Sequence, residues 1–148
     1  MVKKLYFGDL EEGFEWSSQG RTVTETDIVQ FAGLSGDFNP LHMDQEYAKS
    51  TMFGQRIAHG LLGLSMASGI IDDQPPFAVL AFMSVDWKFK APVFIGDTLR
   101  CKNKITKKRL TSSGDRGIVV VDKHMIKQDG QVVQEGKFTL LVENENRA

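Results

Sequence analysis

The apolar positions divide the chain into two kinds of segment. From Thr24 the pattern is helical: Thr24 suits an N-cap, Glu25 and Asp27 fall in the first turn, and Ile28, Phe31, Ala32 and Leu34 form an apolar stripe. Gly33 and Gly36 are expected to end that helix. Asp44 can cap a second, short helix containing Glu46 to Lys49, and from Gly60 a third runs towards Ile71. This third helix is apolar nearly all round (Leu61, Leu62, Leu64, Met66, Ala67, Ile70), so it should be buried, and Gly63, Ser65, Ser68 and Gly69 would let a partner approach its backbone closely. The second half reads as extended chain: Ala78–Phe89, Thr98–Thr106, Ile118–Lys127 and Gln131–Val142, with Asp129-Gly130 as a tight hairpin between the last two. Shorter strand-compatible pieces surround Phe14, Trp16 and Thr22-Val23. A buried helix followed by a meander of antiparallel strands predicts an α+β domain, a curved sheet wrapped round the helix, in a single unit over 1–148.

Composition narrows the functional classes. A net charge of −1 argues against nucleic acid as the main partner. The run from Leu61 to Ile71 is too short and too interrupted to span a bilayer, and the N-terminus carries no apolar signal region. A single cysteine, Cys101, excludes an intrachain disulfide and fits a reducing cytosol. The expectation is a soluble, cytoplasmic protein. The three histidines and one cysteine show no metal-site spacing.

The candidate chemistry lies between the first two helices, in Gly36-Asp37-Phe38-Asn39-Pro40-Leu41-His42. Asp37 and His42 are five residues apart across Asn39-Pro40, where proline is expected to break regular structure and leave both on a bent segment. A carboxylate beside an imidazole makes an acid/base pair working near neutral pH. Alone, that spacing arises often by chance, with Asp37 capping a turn and His42 filling the core. Gly63-Leu64-Ser65-Met66-Ala67 falls one residue short of a nucleophile elbow and lies inside a helical pattern, which counts against a serine hydrolase.

That segment, followed by Ala58-His59-Gly60 and later by Val93-Phe94-Ile95-Gly96-Asp97, resembles the MaoC-like (R)-specific enoyl-CoA hydratases and dehydratases over nearly the whole chain. The resemblance implies a hot-dog fold and syn hydration of a trans-2-enoyl-CoA or enoyl-ACP to an (R)-3-hydroxyacyl thioester. It implies no metal or redox cofactor, coenzyme A entering only as part of the thioester. Asp37 and His42 match the catalytic dyad, with His42 taken as the main base towards water and Asp37 holding the water and supplying the C2 proton. Asn39 matches the motif's turn-setting residue and is, with His59, a candidate substrate-contacting residue; for His59 a structural role is the commoner one. Gly60, at the start of the buried helix, is the candidate oxyanion donor, because free N–H groups and the positive dipole end lie there. Ser68 matches a helix serine that orients the catalytic water or dyad.

Arg100, Lys102 and Lys104 alternate along one strand and read first as a solvated outer face, or else as contacts for coenzyme A phosphates. Trp87 and Phe89 read as core or acyl-pocket wall, and His124 as structural. An open sheet edge and an acyl tunnel that needs covering point to a homodimer at least. Two other readings stand beside the hydratase. A hot-dog thioesterase usually carries an acid on the central helix, and none lies between Gly60 and Ile71. A non-catalytic acyl-thioester-binding module has no need of Asp37, Asn39 and His42 together.

Overall fold

Thr24 begins the first helix, α1 (Glu25–Ser35), through a reciprocal capping box: its hydroxyl accepts from the Asp27 amide while Asp27 accepts from the Thr24 amide. Gly33 does not end the helix. It runs to Ser35 and stops at Gly36, whose φ of 78° is the left-handed conformation that glycine adopts without strain. Asn39-Pro40 likewise starts a helix where a break was expected. Proline at the first helical position gives up an amide that has no intrahelical partner anyway, so Pro40–Met43 forms the one-turn helix α2, capped by Asn39 Oδ1 on the Leu41 amide. Asp37 therefore sits on irregular chain, but His42 sits on a helix. Asp44 caps α3 (Gln45–Lys49) as its position predicts.

The structure, a computed structural model, describes residues 2–145. Four long strands, β3 (Val79–Phe89), β4 (Thr98–Leu110), β5 (Arg116–Ile126) and β6 (Val132–Glu143), join two short ones, β1 (Glu15–Ser17) and β2 (Arg21–Thr22), in one antiparallel sheet of order β1-β4-β5-β6-β3, with β2 also on β4. The alternation in β4 is strict: Leu99, Cys101, Asn103 and Ile105 are buried, whereas Arg100, Lys102 and Lys104 lie on the exposed face. β4 continues past Thr106 to Leu110, with a bulge after Ile105.

Helix α4 (Gly60–Gly69) packs Leu62, Met66 and Ala67 onto Leu99, Cys101, Met125, Val133 and Phe138 of the sheet. It ends at Gly69, before the expected Ile71, and is buried on one side only; Leu61 is 57% exposed. A single sheet layer can cover only one face of a helix. The uncovered face adjoins β3, the strand at the end of the sheet order, where Val79, Leu80, Phe82, Met83, Val85 and Phe89 are each between 39% and 53% exposed. Among the described residues no helix is long and apolar enough to cross a membrane.

Candidate active site

Asp37 and His42 meet where the end of α1, α2 and the start of α4 converge. The His42 ring is buried, and its Nδ1 lies 2.8 Å from the Ile57 carbonyl. Only a protonated Nδ1 can bond to a carbonyl, so in the neutral ring it is Nε2 that carries the lone pair. That Nε2 faces Asp37 Oδ2 at 3.7 Å, too far for a direct hydrogen bond and close enough for both to grip one water. The Asp37 side chain is half exposed, so the pair opens outward. Its other oxygen, Oδ1, accepts from the Asn39 amide at 3.2 Å. Asn39 itself uses its side-chain oxygen on the α2 cap, leaving its NH2 group to face outward on an exposed residue.

His59 contributes through the same cluster. Its Nε2 donates to the Asp37 carbonyl at 2.9 Å, and its ring stacks on His42 with centroids 3.9 Å apart. Its Nδ1 is buried without a partner among the described residues. Thus His59 clamps the backbone of one member of the pair and the ring of the other. Asp37, His42 and His59 also bring ligand-capable atoms within 4.8 Å of one another, so this corner has the donor set for a small cation. One nitrogen of each histidine is already committed to a backbone carbonyl, which leaves His42 Nε2, His59 Nδ1 and the Asp37 carboxylate.

Gly60 opens α4 directly after His59. Neither the Gly60 nor the Leu61 amide has an acceptor among the described residues, so two N–H groups at the positive end of the helix are free. A Cβ on Gly60 would lie 2.9 Å from the Phe89 ring, so a larger residue there makes either that ring or the helix start shift. Ser68 lies eight residues along the same helix, about 12 Å away by helical rise. Its hydroxyl donates to the Ser65 carbonyl, and it lines a cavity at the far end of α4. Within one chain the structure therefore brings Asp37, Asn39, His42, His59 and Gly60 together and leaves Ser68 apart.

Two supporting residues, Arg56 and Gln134, carried no local sequence signal, and a third, Asp97, stood only as the last residue of the Val93–Asp97 motif. Arg56 is nearly buried; its Nε donates to the His42 carbonyl at 2.6 Å and its Nη1 pairs with Glu25 of α1 at 2.6 Å, tying α2 to α1. Gln134 of β6, 3% exposed, donates to the Gly60 carbonyl at 3.1 Å and accepts from Trp87 Nε1 at 2.8 Å. A Cβ on Gly63 would collide with the same amide nitrogen, so the small residue there is what lets Gln134 reach α4. Asp97 caps the turn of the Val93–Asp97 motif, accepting from the Phe94 amide, Lys127 and Gln128. Burial alone would raise its pKa, but the hydrogen bonds from Gln128, Phe94 and Lys127 outweigh it and hold the carboxyl below its ordinary value. The turn bridges through Phe94 to Ile57, whose carbonyl orients His42, so that distant motif bears directly on the imidazole.

The remaining candidates lie outside this corner. Arg100, Lys102 and Lys104 are solvated on the outer face, as their period suggested. His124 faces outward beside Glu135 at 3.4 Å, half exposed. Trp87 packs against the core, and Phe89 stands against Gly60.

Known proteins resemble this chain in sequence and in fold. The family model for the MaoC like domain matches residues 12–127. An (R)-specific enoyl-CoA hydratase from Rhodospirillum rubrum is 37% identical over 93% of this chain and 91% of that protein. Among solved structures, a monoamine oxidase regulatory protein from Archaeoglobus superposes with a TM-score of 0.88 at 36% identity, covering 99% of both chains. A Mycobacterium tuberculosis protein with a double hotdog fold superposes at a TM-score of 0.80 and 19% identity over 98% of this chain and 46% of that one, a likeness of fold alone.

Proposed function

The chain belongs to the MaoC-like family and has its hot-dog fold, and on that premise we propose that it is a hydro-lyase adding water reversibly to a trans-2-enoyl thioester to give the (R)-3-hydroxyacyl product. The observation that carries this reading is the 3.7 Å gap between Asp37 Oδ2 and a His42 Nε2 whose tautomer is fixed by the Ile57 carbonyl. A water in that gap is held by both groups. As its oxygen bonds to C3, His42 Nε2 takes its proton and the C2–C3 π electrons move towards the thioester carbonyl. The enolate oxygen that forms is met by the free amides of Gly60 and Leu61. One donor in such a position is worth roughly 2.7–4 kcal/mol of barrier. C2 then takes a proton from the Asp37 side of the pair. Each turnover leaves the pair with the protons it began with, since one is taken from water and one is given to C2. Both transfers occur on the face of the substrate that the pair addresses, so addition is syn.

We assign no resident metal or redox group to this reaction, because acid, base and oxyanion donors are all supplied by the chain. The acyl carrier is coenzyme A or acyl carrier protein, and the compartment is the cytoplasm. The working unit is a homodimer joined through β3. That strand offers a free edge and a row of exposed apolar side chains beside the uncovered face of α4, and an isologous pairing buries all three at once.

Crotonyl-CoA tests the reaction class. Loss of enoyl absorbance without release of free thiol is the expected result. Thiol release would mean a thioesterase, and tight binding without either change would mean a binding module.

A further inference from the structure

The other end of α4 holds a second polar cluster that the reaction above does not use. Trp16, Asn103 and Lys123 are register partners across β1, β4 and β5, so their side chains share one row of the sheet. Asn103 and Lys123 are 3% and 7% exposed. Lys123 Nζ donates to Asn103 Oδ1 at 3.0 Å and stands 5.1 Å from the centre of the Phe138 ring. An ammonium has three donors, and this one finds no second oxygen acceptor among the described residues. Asn103 in turn reaches Asp72 Oδ1 at 3.4 Å. Trp16 Nε1 and Gln74 Oε1 are both buried with no hydrogen-bond partner among the described residues.

Trp16, Asp72, Gln74 and Lys123 border a cavity of about 510 Å3 whose other walls are mostly apolar, among them Ile71, Phe77, Phe82, Phe138 and Leu140. Ser68, set apart from the dyad, lies on its rim. Burial pushes Lys123 down, against the pull of Cys101 and Asp72, and pushes Asp72 up, against Lys123 and the neighbouring Trp16 indole. The floor thus offers spare donors on Lys123 and a partnerless acceptor on Gln74, beside the Asp72 carboxylate and the Trp16 indole. A group of one sign would meet repulsion from Lys123 or from Asp72. A neutral hydroxyl, which donates and accepts at once, satisfies both.

The two ends of β3 connect this cavity to the reaction. Phe89, at one end, stands against Gly60, while Val79 and Phe82, at the other, line the cavity. In the β3-paired homodimer proposed above, antiparallel strands would set the Gly60 end of one protomer beside the cavity of its partner. We propose that the cavity is a distal acyl subsite that selects thioesters whose acyl chain carries a hydroxyl group, held by Lys123 and Asp72. The inference rests on the hydratase reading for its substrate, and its test separates the two.

Medium-chain trans-2-enoyl-CoA thioesters, matched in length and ending in methyl, hydroxyl or carboxylate, are compared by kcat/KM on the full-length protein. The hydroxyl-ended substrate is expected to exceed the methyl-ended one by about tenfold or more, the scale of a hydrogen bond to a buried charge. Lys123→Met, with folding checked by its melting curve, is expected to remove or reverse that preference. Equal or better use of the methyl-ended chain by the wild type means that the cavity holds water or alkyl chain only and overturns the proposal. Preference for the carboxylate end overturns it too, since the site would then read charge. Calorimetric binding of the saturated analogues reads the same ratio without turnover, so an inactive protein would sink the hydratase reading and still decide this one.

Discussion

The two ends of α4 are built on opposite principles. At its start nearly every polar atom is already engaged: His42 Nδ1 on Ile57, His59 Nε2 on Asp37, Asp37 Oδ1 on the Asn39 amide, and the Gly60 carbonyl on Gln134. What stays free there, His42 Nε2, His59 Nδ1, Asp37 Oδ2 and the Gly60 and Leu61 amides, is a short set with fixed directions. At its end the reverse holds: Trp16 and Gln74 keep buried polar atoms without a hydrogen-bond partner among the described residues, and Lys123 has donors to spare, around an apolar cavity. Full engagement fixes geometry, which bond-making chemistry needs. Unmatched groups wait for a complement, which is how a binding site discriminates.

The contrast is broken most severely at the dyad. His42→Gln and Asp37→Asn are each expected to lower kcat for hydration by about a thousandfold or more, the upper range for acid/base groups, with melting temperatures close to wild type. Near-normal turnover of either variant would move the chemistry elsewhere. Gly60→Ala comes next. Its Cβ would meet the Phe89 ring at 2.9 Å, shifting the start of α4 and its amides, and a displacement of that order costs up to about a hundredfold in kcat.

Asp97→Ala sharpens the comparison through stability. Breaking its nearly buried pair with Lys127 is expected to cost about 3 kcal/mol at neutral pH, read by denaturant melts. The sign with pH follows from its depressed pKa. The folded carboxyl stays ionised to lower pH than the unfolded one, whose pKa is about 3.9. The network's contribution is therefore present above that value and is lost as pH falls below it, so the gap between variant and wild type should narrow in acid. A gap that stays constant with pH would show that Asp97 acts through packing alone. The smallest effect is expected at Ser68→Ala, within about threefold in kcat for crotonyl-CoA, because that hydroxyl is already donated within α4. A loss as large as the dyad's would mean that the partner's helix brings Ser68 to the reacting atoms.

Much of the fold was legible in the chain because its signals are local. The Thr24 and Asp44 caps, the Asp129-Gly130 hairpin and the alternation of β4 each depend on neighbours a few residues away. Asn39-Pro40 misled because proline both breaks and begins helices, and which it does depends on whether an N-cap precedes it; Asn39 is one. The burial of α4 was overestimated because hydropathy registers what should be covered and cannot say by which chain. The dyad corner was visible as a motif, and Asp97 as part of another, but the contacts that support the corner were not. Arg56, Gln134 and Asp97 act through contacts distant in sequence, and Lys123 reads on paper as an ordinary strand lysine.

The central claim is that one water, gripped by Asp37 and His42, is added from a single face of the substrate. Hydration of crotonyl-CoA in deuterated water, with the product's configuration assigned at both carbons, tests it most directly. The account predicts (R)-3-hydroxybutyryl-CoA with deuterium at C2 on the same face as the new hydroxyl. An (S) alcohol, or deuterium on the opposite face, would contradict it.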